Sequence, residues 1–245
     1  MQQLLYGVAY YDEYMPYDRL DEDIRMMKAA GINVVRIAES TWSTHEPHNG
    51  VFDFSSVDRV LAAMHQAGIQ VIVGTPTYAI PTWMVKEHPD VLAVTPQGPG
   101  RYGPRQNMDI THPVYLFHAE RIIRKLIGRV RDHPAVIGYQ ADNETKYYQT
   151  CGPNVQLQFV KYMREKFGDL ETVNRRFGLD YWSNRINAWE DFPAMVGTIN
   201  GSLGGEFARF QRRLVTDFLA WQVALINEYK RPDQFVTQNF DLEWR

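Results

Sequence analysis

The segment Val136-Ile137-Gly138-Tyr139-Gln140-Ala141-Asp142-Asn143-Glu144 is an apolar run that closes on an adjacent Asn and Glu. A carboxyl carried to the C-terminal end of a barrel strand can serve as a general acid/base, and an amide beside it can donate to a substrate hydroxyl. Those are the needs of glycosidic bond cleavage. Taken alone, the pair also fits a solvated or ion-paired acid at a strand end. Three more apolar runs end in polar residues: Arg36 and Glu39, Thr75-Pro76-Thr77, and Asn239. Their repetition points to one rim lined for chemistry.

The elements that must position these residues alternate short β-rich runs with helical patterns, the signature of a parallel sheet built from β/α units. Strands are expected near residues 5–11, 33–39, 69–75, 136–142 and 235–239, as neighbours in that order. Leu20, Ile24 and Met27 share a helical face that stops at Gly31. Ser55-Ser56-Val57-Asp58 has the spacing of a capping box and opens a helix through Val57, Val60, Leu61 and Met64. A Pro- and Gly-rich loop from Pro76 to Pro113 is long enough to shape a site. The run from Val114 to Val130 repeats apolar residues at a helical period. Residues 145–234 read as a helical insertion with a long helix from Leu203 to Tyr229, and Gly201-Ser202-Leu203-Gly204-Gly205 as a flexible turn before it. The fold class is α/β, a (β/α)₈ barrel of which this chain supplies about the first five units. Residues 1–245 form one N-terminal portion of that domain.

Composition narrows the partners. A formal charge of −3 with no basic run leaves no electrostatic footprint for nucleic acid or an anionic membrane. No run of about 18 apolar residues appears, and the N-terminus lacks the basic and apolar regions of a signal peptide, so a cytoplasmic location is expected. One cysteine, Cys151, excludes an internal disulfide and a multi-cysteine zinc site made from this chain alone. His45, His48, His88, His112 and His133 follow no ligand spacing. Neither a metal nor another cofactor is expected.

Several motifs together resemble glycoside hydrolase family 42 β-galactosidases, retaining enzymes with a (β/α)₈ catalytic domain. They are Tyr6-Gly7-Val8-Ala9-Tyr10-Tyr11, Arg36-Ile37-Ala38-Glu39-Ser40-Thr41-Trp42-Ser43 leading to Glu46-Pro47, and Gly74-Thr75-Pro76-Thr77. Pro81-Thr82-Trp83, His88-Pro89, Gln140 to Glu144 and Tyr181-Trp182-Ser183 extend the match along nearly the whole chain. The resemblance implies that Glu144 is the general acid/base, that Asn143 donates to the hydroxyl beside the cleaved bond, and that Arg105 contacts the galactose. It implies that Trp182 borders the sugar site, although this residue could equally anchor the insertion. Glu39 faces the pocket floor or, by the better reading, pairs with Arg36.

The resemblance further implies a β-galactoside or galacto-oligosaccharide substrate and a homo-oligomer. Zinc-binding members carry a cysteine cluster at positions that here include Asp109 and Cys151, so a tetrahedral cysteine site cannot be assembled. The nucleophilic glutamate of such enzymes lies on the seventh strand, beyond residue 245. Asp12, Glu39 and Asp241 sit on other strands and match no nucleophile motif. Two alternatives stay open: another retaining β-glycosidase of the same barrel clan, or a carbohydrate-binding fragment without catalysis.

Overall fold

The computed structural model describes residues 4–15, 17–146, 149–196 and 200–240. Five strands form one parallel sheet in the order β1 (Gly7–Ala9), β2 (Val34–Ile37), β3 (Gln70–Gly74), β6 (Val136–Gln140), β7 (Phe235–Thr237). Val35 stands opposite Val71, and Tyr139 opposite Val236. The expected neighbours are therefore the observed ones, although the strands are shorter than read; backbone bonds such as Thr75 N–H to the Gln140 carbonyl and Ala141 N–H to the Thr237 carbonyl continue the pairing just past their ends. Two small strands, β4 (Val94–Thr95) and β5 (Gly98–Pro99), form an antiparallel ribbon within the long loop.

The sheet is covered on its outer face by α1 (Leu20–Ala29), α3 (Ser55–Gln66) and α5 (Pro113–Val130). Met27, Leu61, Met64, Ile123, Leu126 and Ile127 meet Val35, Val71, Val73 and Val136 in one apolar cluster. Short helices α2 (Trp42–His45) and α4 (Thr82–Glu87) follow the second and third strands, and α6 (Pro153–Phe167) and α7 (Leu170–Phe177) lie within the insertion. Helix α8 (Gly201–Tyr229) is 29 residues long, about 43 Å at the usual rise. Its first half, through Leu203, Phe207, Phe210 and Leu214, packs into a second cluster with Phe159 and Met163 of the insertion. Leu225 and Ile226, near its end, reach the sheet cluster. One helix thus serves both the insertion and the fourth β/α unit.

Two local readings need correction. Ser55 is the first residue of α3 and not its cap. The N-cap position is Phe54, without a side-chain bond, and the Ser55 amide is satisfied by Asp53 Oδ1 at 2.9 Å. The glycine-rich stretch 201–205 is the first turn of α8 and not a flexible turn. Asn200 Oδ1 accepts from the amides of Ser202 and Leu203 at 2.9 and 3.1 Å, and buried Leu203 anchors the turn. A good cap and an apolar anchor outweigh the poor helix propensity of glycine.

His45 gives the fold a predictable acid response. Thr41 Oγ1 donates to the Ala38 carbonyl at 2.7 Å and is 3.0 Å from His45 Nδ1, so His45 Nδ1–H donates to Thr41. Burial pushes the imidazole pKa down from 6.5 to about 4. The native state therefore binds fewer protons than the unfolded chain in this window. The stabilisation is complete above pH 6.5 and is lost as pH falls towards 4, by about 3 kcal/mol. Denaturant unfolding at pH 7 and pH 4 should show a stability drop larger by about that amount in the natural chain than in His45→Gln; equal drops would refute it.

Candidate active site

Past the C-terminal ends of the five strands, the polar residues join into one hydrogen-bonded rim. Arg36, at the end of β2, spreads its guanidinium over three neighbours: Glu39 Oε1 at 2.8 Å, Gln140 Oε1 at 3.0 Å and the Tyr11 hydroxyl at 3.1 Å. Glu39 is fully buried, so the ion-pair reading is the observed one. Its Oε2 has no partner among the described residues. Gly74 makes room for it, since a Cβ there would lie 2.6 Å from the Glu39 Cβ. The Tyr11 and Tyr78 hydroxyls are held above their ordinary pKa, first by burial and then by the Glu39 charge. Both are therefore protonated donors near neutral pH.

Gln140 passes the network on to β6. Its Nε2 donates to Asn143 Oδ1 at 3.2 Å, and Asn239 Nδ2, past β7, donates to the same oxygen at 3.0 Å. With its oxygen doubly engaged, the buried Asn143 presents its amide hydrogens as the remaining polar function. Glu144 is one-quarter exposed at its side chain and meets Arg105 Nη2 at 2.7 Å. An ion pair this open adds little stability. Its meaning is positional, because it draws the tip of the long loop onto the strand end.

The backbone here is strained. Asp142 and Glu144 have φ of 52° and 49°, a left-handed conformation that costs a non-glycine residue about 1–3 kcal/mol and persists only where neighbours fix it. They do so through nearly every polar backbone group. The Asp142 amide donates to Thr75 Oγ1, the Asp142 carbonyl accepts from Gln140, and the Glu144 amide donates to the Asn239 carbonyl. Gln106 Nε2 holds the carbonyls of both Asn143 and Glu144, at 2.9 and 3.0 Å. The result is a sharp turn that aims two adjacent side chains into the space above the sheet.

Asn143, Glu144 and Arg105 come together as expected. Trp182 makes no hydrogen bond or ring contact with these three among the described residues: it is 78% exposed in a short turn of the insertion, with Tyr181 stacked on it at 4.8 Å. Asp109 is engaged by the Thr111 amide and hydroxyl and by Asn154, and burial pushes the Cys151 thiol pKa up. Among the described residues no group of three or more His, Cys, Asp or Glu side chains could hold a metal ion, and no helix is long and apolar enough to cross a membrane. Asp241 lies outside the described residues.

The family model for glycoside hydrolase family 42, described as β-galactosidase, matches residues 9–244. The chain belongs to this family. A β-galactosidase of Thermus thermophilus is 33% identical over 96% of the chain, which spans 37% of that relative's length. A β-galactosidase of Geobacillus kaustophilus is 30% identical, with 98% and 36% covered. The crystal structure of the β-galactosidase from Rahnella sp. R3 superposes with a TM-score of 0.91 at 30% identity, covering 98% of this chain and 36% of that one. A β-amylase catalytic domain from Paenibacillus polymyxa, at 10% identity and a TM-score of 0.60, shares the fold alone. The family-42 chain thus carries five parallel strands of a (β/α)₈ barrel, with the helices that follow the first four, and spans little more than a third of its relatives' length.

Sequence reading missed Gln106, which braces the turn from a loop 37 residues away. No periodicity marks such a residue. The only local signal is its place beside Arg105 in a Pro- and Gly-rich loop.

Proposed function

We propose that this chain supplies the acid/base half of a retaining β-galactosidase acting on terminal β-D-galactosides. The observation that supports it is the convergence of Glu144, Asn143 and Arg105 at the end of the fourth barrel strand, with Glu144 held by Arg105 at 2.7 Å. In this reading Glu144 gives its proton to the departing glycosidic oxygen and then takes one from the water that frees the sugar. Asn143 donates to the 2-hydroxyl, a bond that strengthens as positive charge develops on the ring. The acid must carry its proton when the bond breaks, so the ion pair opens as substrate enters and Arg105 turns to a galactose hydroxyl. Glu39 Oε2, without a partner among the described residues, is an acceptor for another hydroxyl.

A retaining reaction also needs a nucleophile about 5–5.5 Å from the acid/base. The family resemblance implies that the nucleophile is a glutamate on the seventh strand, outside these 245 residues; of the acids near the rim, Glu39 is paired with Arg36 and Asp12 with Arg59. The same reading includes one domain with a helical insertion at about residues 145–234, from the pattern of the sequence, a cytoplasmic location, from the composition of the N-terminal segment, and a homo-oligomer, which the resemblance implies.

Proton NMR of the first product released by the full-length protein tests the mechanism. β-Galactose should appear first and mutarotate later. Initial α-galactose would refute retention, and a higher kcat/KM on aryl β-glucosides or β-mannosides would move the substrate assignment.

A further inference from the structure

Beneath the turn that carries Glu144 lies a polar cluster that the reaction itself does not use. Thr75, Thr77 and Asp142 come from two strand ends, and Gln222 from the far half of α8; all four are buried. Their hydrogen bonds form a closed ring. The Asp142 amide donates to Thr75 Oγ1 at 2.6 Å, and Thr75 Oγ1 donates to Gln222 Oε1 at 2.6 Å. Gln222 Nε2 donates to Thr77 Oγ1 at 2.9 Å, and Thr77 Oγ1 donates to Asp142 Oδ1 at 2.5 Å. The circuit thus leaves Asp142 by its amide and returns to its carboxylate. Thr145, on the other side of Glu144, donates to Asp142 Oδ2.

Each proton in the ring has only one direction to go. Thr77 has a single hydroxyl hydrogen and gives it to Asp142, so it can only accept from Gln222. Thr75 accepts the Asp142 amide, so its hydrogen goes to Gln222. The glutamine is the one neutral side chain of its length that offers a donor and an acceptor on the same carbon. A methionine would leave both threonines short of a partner, and a glutamate would set a second carboxylate against Thr77.

We propose that Gln222 is a positioning residue for Glu144, holding Asp142 in its left-handed conformation through Thr75 and Thr77 and so fixing where the acid/base carboxyl points. This rests on the acid/base reading of Glu144. Fully satisfied buried networks select one arrangement sharply, because each member left unpaired is costly. A displacement of about 1 Å at a reacting group can lower a rate by about 10²-fold. Helix α8 also carries the insertion, so the ring ties that insertion to the aim of the acid/base.

The test uses the full-length protein and compares kcat/KM, which reports the first bond cleavage, on two aryl β-galactosides. Gln222→Met should lower it about 10- to 100-fold for a poor leaving group that needs a proton, and by less than about 3-fold for an activated one that does not. In a Glu144→Gln background the same change should have no further effect. Thr77→Val should behave like Gln222→Met, while Thr77→Ser, which keeps the hydroxyl, should restore the natural value. Equal losses on both substrates, or losses that multiply with Glu144→Gln, would reduce the ring to a packing feature and overturn the proposal. If Gln222→Met does not fold, the Thr77→Val and Thr77→Ser pair decides between the same outcomes. Full activity of Glu144→Gln would remove the acid/base reading, and the proposal with it. An impaired Glu144→Gln beside an unaffected Gln222→Met and Thr77→Val would remove the proposal alone.

Discussion

Glu144→Gln in the full-length protein should lower kcat/KM on an aryl β-galactoside with a poor leaving group by about 10² to 10⁴, the usual worth of general acid/base catalysis. The amide keeps the shape of the carboxyl and can still face Arg105, but it has no proton to give at the moment the glycosidic oxygen departs. An activated leaving group should hide most of the loss in the first step, because its oxygen leaves as a stable anion. The second step still needs a base to deprotonate water. Azide, which attacks the glycosyl intermediate without such help, should therefore partly restore turnover and yield a β-galactosyl azide. Full activity of this variant would refute the role of Glu144. A loss that is the same for good and poor leaving groups and insensitive to azide would point to a damaged site.

How much of this was legible in the sequence varies with the range of the interaction. The three central strands were readable because their burial leaves short apolar runs such as Val71 to Val73, bounded by Gly and polar residues. Helix α5 was readable because Ala119, Ile122, Ile123, Leu126 and Ile127 recur on one buried face. Helix starts were less so: Ser55 and Asp58 have cap spacing, yet the acceptor that matters is Asp53, two residues earlier. At the site, Glu144, Asn143 and Arg105 were reachable through family motifs. Gln222 was not, since its partners Thr75 and Thr77 lie 147 and 145 residues away, and a lone glutamine on a long amphipathic helix carries no local mark. Trp182 shows the opposite limit, where a motif match names a residue whose ring contact among the described residues is its own neighbour Tyr181.

Glu46 should be the most stability-sensitive acid in the chain, although its motif neighbour Pro47 suggests only a turn. Its carboxylate is fully buried and works in three directions. It accepts from the indole of Trp42 at 3.0 Å and from the Gly50 amide at 2.8 Å, and it pairs with Arg121 of α5. Its own carbonyl accepts from Trp83 Nε1 at 2.9 Å. Two tryptophans from different helices, a tight turn and the packing helix α5 therefore converge on one residue. Glu46→Ala would leave a buried indole, a backbone amide and a largely shielded guanidinium without their acceptor, which should cost about 3–5 kcal/mol. Trp42 bonds one carboxylate oxygen, and Gly50 and Arg121 the other. Glu46→Gln therefore keeps an acceptor for one side only and turns its NH2 toward a donor on the other. It should cost less than alanine, which leaves neither, but still be destabilising. Glu22→Ala, which removes an exposed partner of Arg25, should leave stability unchanged within error. Denaturant unfolding of the three variants would check the order, and a Glu46→Ala loss below about 1 kcal/mol would mean that water replaces the carboxylate. The same variant should disturb the site, because the chain runs from Glu39 directly into α2. With Trp42 loosened, the Ser40 and Thr41 bonds to Glu13 and to the Ala38 carbonyl would be left to hold the segment that sets Glu39 against Arg36, and Arg36 is the group that links Tyr11, Gln140 and, through Gln140, Asn143.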